Sequence, residues 1–104
     1  MTPIDCHGRL ADRSPIRRLQ WPAGHPVAVT IVACAIVVLS DRQGSYRITN
    51  QGHLQLPLAI RRAFGLEAGE RLLVAACPDT DLLTVYPMST VDAMVLAYHA
   101  TITE

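Results

Sequence analysis

The chain states one pattern twice, and that repetition limits its fold more than any single motif does. Ile4-x-x-x-Gly8-x-Leu10 recurs as Ile48-x-x-x-Gly52-x-Leu54, and Ile16-Arg17-Arg18 as Ile60-Arg61-Arg62, both 44 residues later. One position further on, Trp21-Pro22-Ala23-Gly24 falls on Leu66-Glu67-Ala68-Gly69 and Val29 on Val74, at an offset of 45. A supersecondary unit that recurs in this way is one that does not bury its apolar face alone. Each half has about forty residues, near the size at which a core needs a disulfide, a metal or a partner. The expected partner is the other half, so the two copies should fold against each other.

Composition supplies the material for such a core. Half of the 104 residues are apolar and 17% are charged, which argues against a solvated, disordered chain. Cys6, Cys34 and Cys77 are odd in number and form no CxxC pair, so neither a disulfide framework nor a zinc site is supported and no cofactor is expected. The longest apolar run, Val27 to Leu39 broken only by Thr30, has 13 residues, short of the roughly 18 that span a bilayer. Its Val and Ile content favours strands. No secretory leader pattern is visible, and the expected setting is the cytoplasm.

Net charge is zero, but the charges are sorted along the chain. Eight arginines against three acids precede residue 66, whereas Arg71 stands against six acids after residue 65, giving +5 and then −5. A neutral molecule can therefore carry a basic face and an acidic one.

The second copy predicts the local structure more clearly. Tyr46-Arg47-Ile48-Thr49 and His53-Leu54-Gln55-Leu56 alternate apolar with polar around the turn Asn50-Gln51-Gly52, which predicts two short strands. Pro57 suits a first helical position, Ile60, Ala63 and Phe64 give a short apolar stripe from Leu58 to Phe64, and Gly65 suits the stop. Strands follow at Arg71 to Ala76 and Leu82 to Tyr86, separated by the loop Pro78-Asp79-Thr80-Asp81. The first copy predicts the same order less cleanly. Ser14-Pro15 offers a cap and a first-turn proline for a stunted helix from Ile16 to Leu19, and strands at Val27 to Val32 and Ile36 to Leu39 are joined at Ala33-Cys34, neither residue a good tight-turn former. Beyond the repeat, Ser89-x-x-Asp92 resembles a capping box, and Val91, Met94, Val95, Tyr98 and Ile102 keep helical spacing. That terminal helix is expected to pack on the protein's own barrel, with a partner-binding helix as the alternative.

From Ile48 to Glu70 the second copy resembles the AbrB/MazE/SpoVT swapped-hairpin DNA-binding domain. The resemblance rests on the Gly52-His53-Leu54 strand, Pro57, a helix bearing Arg61-Arg62, then Gly65-Leu66 and the Gly69-Glu70 turn. It implies a mainly β fold: a swapped-hairpin, double-split β-barrel over residues 1–87, built from two ββαββ repeats at 4–39 and 46–87, with a C-terminal helix or tail at 88–104. Two copies in one chain would make a pseudo-dimer, as in the related MraZ proteins, with further homo-oligomers open. Family DNA contacts carried over by position would fall on Arg47, His53 at the motif arginine position, Arg61 and Arg62. In the first copy they would fall on Arg9, Arg17 and Arg18, with Arg13 as a local addition and Pro3 at the position matching Arg47. Histidine carries little charge near neutral pH and proline none, so each copy lacks a different basic residue and any DNA footprint should be asymmetric. Arginine forks suit phosphates and guanine edges; the plain alternative is that the tandem arginines are solvated helix faces.

The resulting expectation is a transcriptional regulator that binds double-stranded DNA. One rival is an antitoxin of the MazE or VapB kind, binding DNA through the barrel and a protein toxin through the tail, although this tail is short and more apolar than acidic. Another is an interaction module without DNA affinity. Catalysis is not expected: there is no Gly-x-Ser-x-Gly, phosphate loop or HExxH, and Cys6-His7, adjacent on a strand, would face opposite ways.

Overall fold

The computed structural model describes residues 1–103, with side chains through Thr101. Its strands are β1 (Thr2–Pro3), β2 (Pro26–Val32), β3 (Ala35–Ser40), β4 (Tyr46–Arg47), β5 (Arg71–Cys77) and β6 (Leu82–Pro87). Helix α1 (Ser14–Arg18) precedes β2, α2 (Leu58–Phe64) precedes β5, and α3 (Met88–Thr103) follows β6. The fold is mainly β: one six-stranded antiparallel sheet curled into a half-barrel, in the order β1-β5-β6-β3-β2-β4. No helix among the described residues is long and apolar enough to cross a membrane.

The strand order exchanges the short strands between halves. β1 lies against β5 of the second half, Thr2 opposite Leu72 and Pro3 opposite Arg71. β4 lies against β2 of the first half, Tyr46 opposite Val27 and Arg47 opposite Pro26. These four pairs are equivalent through the sequence offsets of 44 and 45. Loop amides obey the same rule: Ile4 donates to Glu70 O at 2.9 Å and Gly69 to Ile4 O at 2.7 Å, while Ile48 donates to His25 O at 3.0 Å and Gly24 to Ile48 O at 2.8 Å. The two long hairpins then meet in the middle, β3 against β6 from Ile36–Val85 to Leu39–Leu82.

One core results, and its members come from matching positions. Ile4 and Ile48, Leu10 and Leu54, and Val27 and Leu72 are all buried, joined by Ile36, Val38, Leu83 and Val85 from the central strands. Because β1 and β4 contribute Thr2 and Tyr46 to opposite halves, removing one half would strip the edge from the other. Trp21, also buried, stacks on His25 with ring centroids 5.5 Å apart.

Several local expectations need correction. Helix α1 begins at Ser14 with Arg13 at its cap, so Ser14 is the first helical residue; its amide is held by Asp12 Oδ1 at 2.9 Å. Pro57 is the residue before α2 and lies outside its first turn. α3 starts at Met88, which places Ser89 inside the helix and removes the capping box. Residues 53–56 form no extended strand; the Arg9–Gln55 bridge, Leu10 N–H to Leu54 O at 2.9 Å and Leu56 N–H to Gly8 O at 2.8 Å tie them to the first half. The Ala33-Cys34 hairpin turn does form, with Ala33 at φ 54. A left-handed conformation costs a residue with a Cβ roughly 1–2 kcal/mol, which the long β2–β3 ladder offsets.

Beyond its start, α3 leaves its apolar face uncovered by the sheet. Val91 is half-buried, but Met94, Val95, Leu96 and Tyr98 are exposed; the Ile102 side chain lies outside the described residues. The helix touches the sheet near its start, where Thr90 Oγ1 donates to Cys34 O at 2.6 Å. An apolar groove of about 650 Å³ runs there between Ala33, Cys34, Phe64, Tyr86, Ala93 and Ala97.

Candidate nucleic-acid interface

Two tight turns, one in each half, set the geometry of the polar surface. Gly8 N–H donates to Asp5 O at 3.1 Å and Gly52 N–H to Thr49 O at 2.9 Å, and both glycines sit at φ 84. That conformation is natural only for glycine. The side chain entering each turn caps the backbone behind it: Asp5 Oδ1 accepts from His7 and Arg9 amides at 2.9 Å, and Thr49 Oγ1 from the His53 amide at 2.9 Å. Asp5 adds an ion pair with Arg9 Nε at 2.8 Å, both side chains being about 40% exposed. The Arg9 amide first, then its guanidinium and the His7 amide, hold the Asp5 carboxyl down at about 2. Asp12 is likewise lowered, chiefly by the Ser14 amide.

Each turn is clamped by an arginine from the other half. Arg61 donates Nε to Leu56 O at 3.1 Å and Nη1 to Cys6 O at 3.4 Å, while Arg13 donates Nη1 to Gln51 O at 3.0 Å. The fit around Gly8 is close enough that a Cβ there would stand 2.5 Å from Arg61 Nε. Arg61 is thus engaged in holding the turn, whereas the neighbouring Arg62, with Arg17 and Arg18 on α1, is exposed and makes no side-chain hydrogen bond or ion pair among the described residues.

Arg9 and Arg47 come together. They line a polar hollow of about 550 Å³ with His7, Ile48, Thr49, Asn50, Gln51 and Gln55. Arg9 rises from the first half's turn, opposite Gln55. Arg47 rises from β4 and is steadied by its Nη1 donating to Gly24 O at 3.1 Å, while Gln55 Nε2 donates to His7 O at 2.8 Å. Nε of Arg9 is held by Asp5, and its terminal nitrogens make no hydrogen bond among the described residues; such forks donate to phosphate oxygens or to the N7 and O6 of guanine. Amides of Asn and Gln suit adenine edges.

Of the eight residues expected at the interface, the hollow therefore gathers two. Arg61 and Arg13 serve the turns, Arg17, Arg18 and Arg62 stand on the short helices, and His53 is drawn inward, its half-buried ring donating Nδ1–H to Leu10 O at 2.9 Å. Sequence reasoning overlooked His7, Asn50, Gln51 and Gln55. Gln55 was legible as the polar member of the alternation 53–56, but Asn50 and Gln51 read only as turn formers. Among the described residues, no three His, Cys, Asp or Glu side chains converge to hold a metal.

The chain matches no protein-family model, no curated protein and no solved structure.

Proposed function

We propose that this protein is a DNA-binding transcriptional regulator of the AbrB/SpoVT type, with a swapped-hairpin barrel made from two ββαββ repeats of one chain. The observation that carries the reading is the hollow in which Arg9 of one half and Arg47 of the other converge with His7, Asn50, Gln51 and Gln55. The exchange of β1 and β4 between halves supports the fold part of the reading, since equivalent residues pair in equivalent registers. On this reading Arg17, Arg18 and Arg62, exposed on the short helices, supply contacts to the phosphate backbone. A gel shift with the protein's own upstream region tests the proposal: a retarded complex that dissolves as salt rises supports it, and free DNA at every protein concentration contradicts it.

One observation favours a second reading. Met94, Val95, Leu96 and Tyr98 are exposed on α3, and an apolar helix face of this kind suits a protein groove. On the antitoxin reading, α3 would seat against a protein toxin while the sheet held DNA. Copurification of a small ribonuclease that is lost on deleting residues 89–104 would favour it.

A further inference from the structure

The two halves pair their short strands in equivalent registers, but the residues at equivalent positions around the polar hollow are not equivalent in chemistry. The hollow that holds Arg9 and Arg47 takes its turn residues His7 and Arg9 from the first half and Arg47, Thr49, Asn50, Gln51 and Gln55 from the second. Carried through the 44-residue offset, the counterpart comprises Gln51 and His53 from the second half with Pro3, Asp5, Cys6, His7 and Ala11 from the first. Seen one copy at a time, each half lacks a different basic residue: Pro3 stands for Arg47, and His53 for Arg9. Because β1 and β4 are exchanged, both losses fall in the same counterpart position, which shares His7 and Gln51 with the hollow.

The other substitutions there point the same way. Asn50 becomes Cys6 and Gln55 becomes Ala11, so the groups able to hydrogen-bond a base edge are lost with the cations. Thr49 becomes Asp5, whose ionised carboxylate pairs with Arg9 Nε at 2.8 Å and so stands between the two positions, taking up one nitrogen of Arg9. His53 is turned away to the Leu10 carbonyl. The hollow therefore offers the guanidinium groups of Arg9 and Arg47 with the Asn50 carboxamide, whereas the counterpart, which shares His7 and Gln51 with it, has His53, Pro3, Cys6 and Ala11 where the hollow has Arg9, Arg47, Asn50 and Gln55.

We infer that the protein reads duplex DNA through one of these two positions only, with the Arg9–Arg47 hollow as its single reading head and the Pro3–His53 position as a blunt one. This rests on the DNA-binding reading above and deepens it. A single-headed reader has no need of a palindrome; its site is a single, non-palindromic half-site, with Arg9, Arg47, Asn50 and Gln55 setting the preferred bases. Arg17, Arg18 and Arg62 add phosphate contacts that do not depend on sequence.

The experiment is a fluorescence-anisotropy titration of the full chain with a mixed-sequence 30-base-pair duplex across a salt series, with folding of every variant checked by circular dichroism. Arg47→Gln is expected to weaken binding about tenfold and to reduce the salt slope by about one, the value for one lost phosphate contact. His53→Gln and Pro3→Ala, at the other position, are expected to change affinity less than about twofold. The double substitution Pro3→Arg with His53→Arg rebuilds the missing cations, and is expected to tighten binding and steepen the slope. Equal losses from Arg47→Gln and His53→Gln would overturn the single head while leaving DNA binding intact. Absence of binding by the wild-type chain would overturn the DNA-binding reading itself, and the single head with it.

Discussion

Trp21 donates its indole N–H to Asp81 Oδ1 at 2.8 Å, joining the end of the first half's helix to the loop between β5 and β6, 60 residues away. Around this bond, Trp21 stacks on His25, whose Nε2 shares a hydrogen bond with Ser40 Oγ at 2.8 Å. The indole is buried but the carboxylate is exposed, so an Asp81 left without its partner turns to water. Trp21→Phe is accordingly expected to cost about 1 kcal/mol, the net worth of one such bond. Trp21→Ala, which also empties the core, should cost roughly 3–5 kcal/mol. Urea denaturation of the two variants separates the contributions.

Gly8 and Gly24 have nearly the same backbone conformation, φ 84 and φ 80, and different surroundings. A Cβ on Gly24 would meet nothing within 4 Å, while one on Gly8 would stand 2.5 Å from Arg61 Nε and 2.7 Å from Leu56 O. Gly24→Ala should therefore show the conformational cost alone, about 1–2 kcal/mol. Gly8→Ala should cost clearly more, because the Leu56 carbonyl is backbone and does not swing aside. Equal denaturation midpoints for the two variants would refute the clamp geometry.

The tandem arginines of α2 are expected to separate in function. Arg61 is engaged with Leu56 O and Cys6 O, whereas Arg62 is exposed. Arg61→Ala should lower stability by about 1–2 kcal/mol, as turn carbonyls lose a charged donor. Arg62→Ala should leave the melting curve unchanged and reduce the salt dependence of DNA binding by about one phosphate contact. Thermal melts and binding titrations of both variants decide the matter.

Asp5 predicts an acid-sensitive contribution to stability. Its folded-state pKa is held at about 2, below the ordinary 3.8, first by the Arg9 amide. A depressed carboxylate stabilises the fold above its unfolded value and loses that contribution as pH falls through its folded one. The stabilisation should be complete above about pH 5, fade between about pH 4 and 2, and be absent below. Asp5→Asn should be less stable than wild type at pH 7 and match it near pH 2, as read by chemical denaturation at each pH. A constant difference across that range would contradict the assignment.

Much of the sheet is legible in the sequence, because its signals are local. Alternation and β-branched residues mark the long hairpins, and the Leu58–Phe64 helix stops at Gly65 as expected, although Pro57 caps it rather than opening its first turn. The equivalence of Ile4 with Ile48 and of Leu10 with Leu54, read from spacing alone, reappears as one buried core. The site is less legible, since it is assembled across halves. Nothing in the local sequence of Arg9 or Arg47 brings them together; the exchange of β1 and β4 does. Arg61 looks free in a helix pattern, yet its side chain is long enough to reach carbonyls 5 and 55 residues away. α3 is legible as a helix but not in its placement, because the spacing of Met94, Val95 and Tyr98 specifies a face and not what covers it.

The account depends on arginines from both halves engaging the phosphates of a duplex. The direct measurement is the dissociation constant of the wild-type chain for duplex DNA between 50 and 200 mM salt, plotted logarithmically against salt. Contacts from Arg9, Arg47 and the free arginines of the short helices predict a line whose affinity falls with a slope of about 3 to 5, near 0.9 per neutralised phosphate. A flat line, or no complex at the lowest salt, would contradict it.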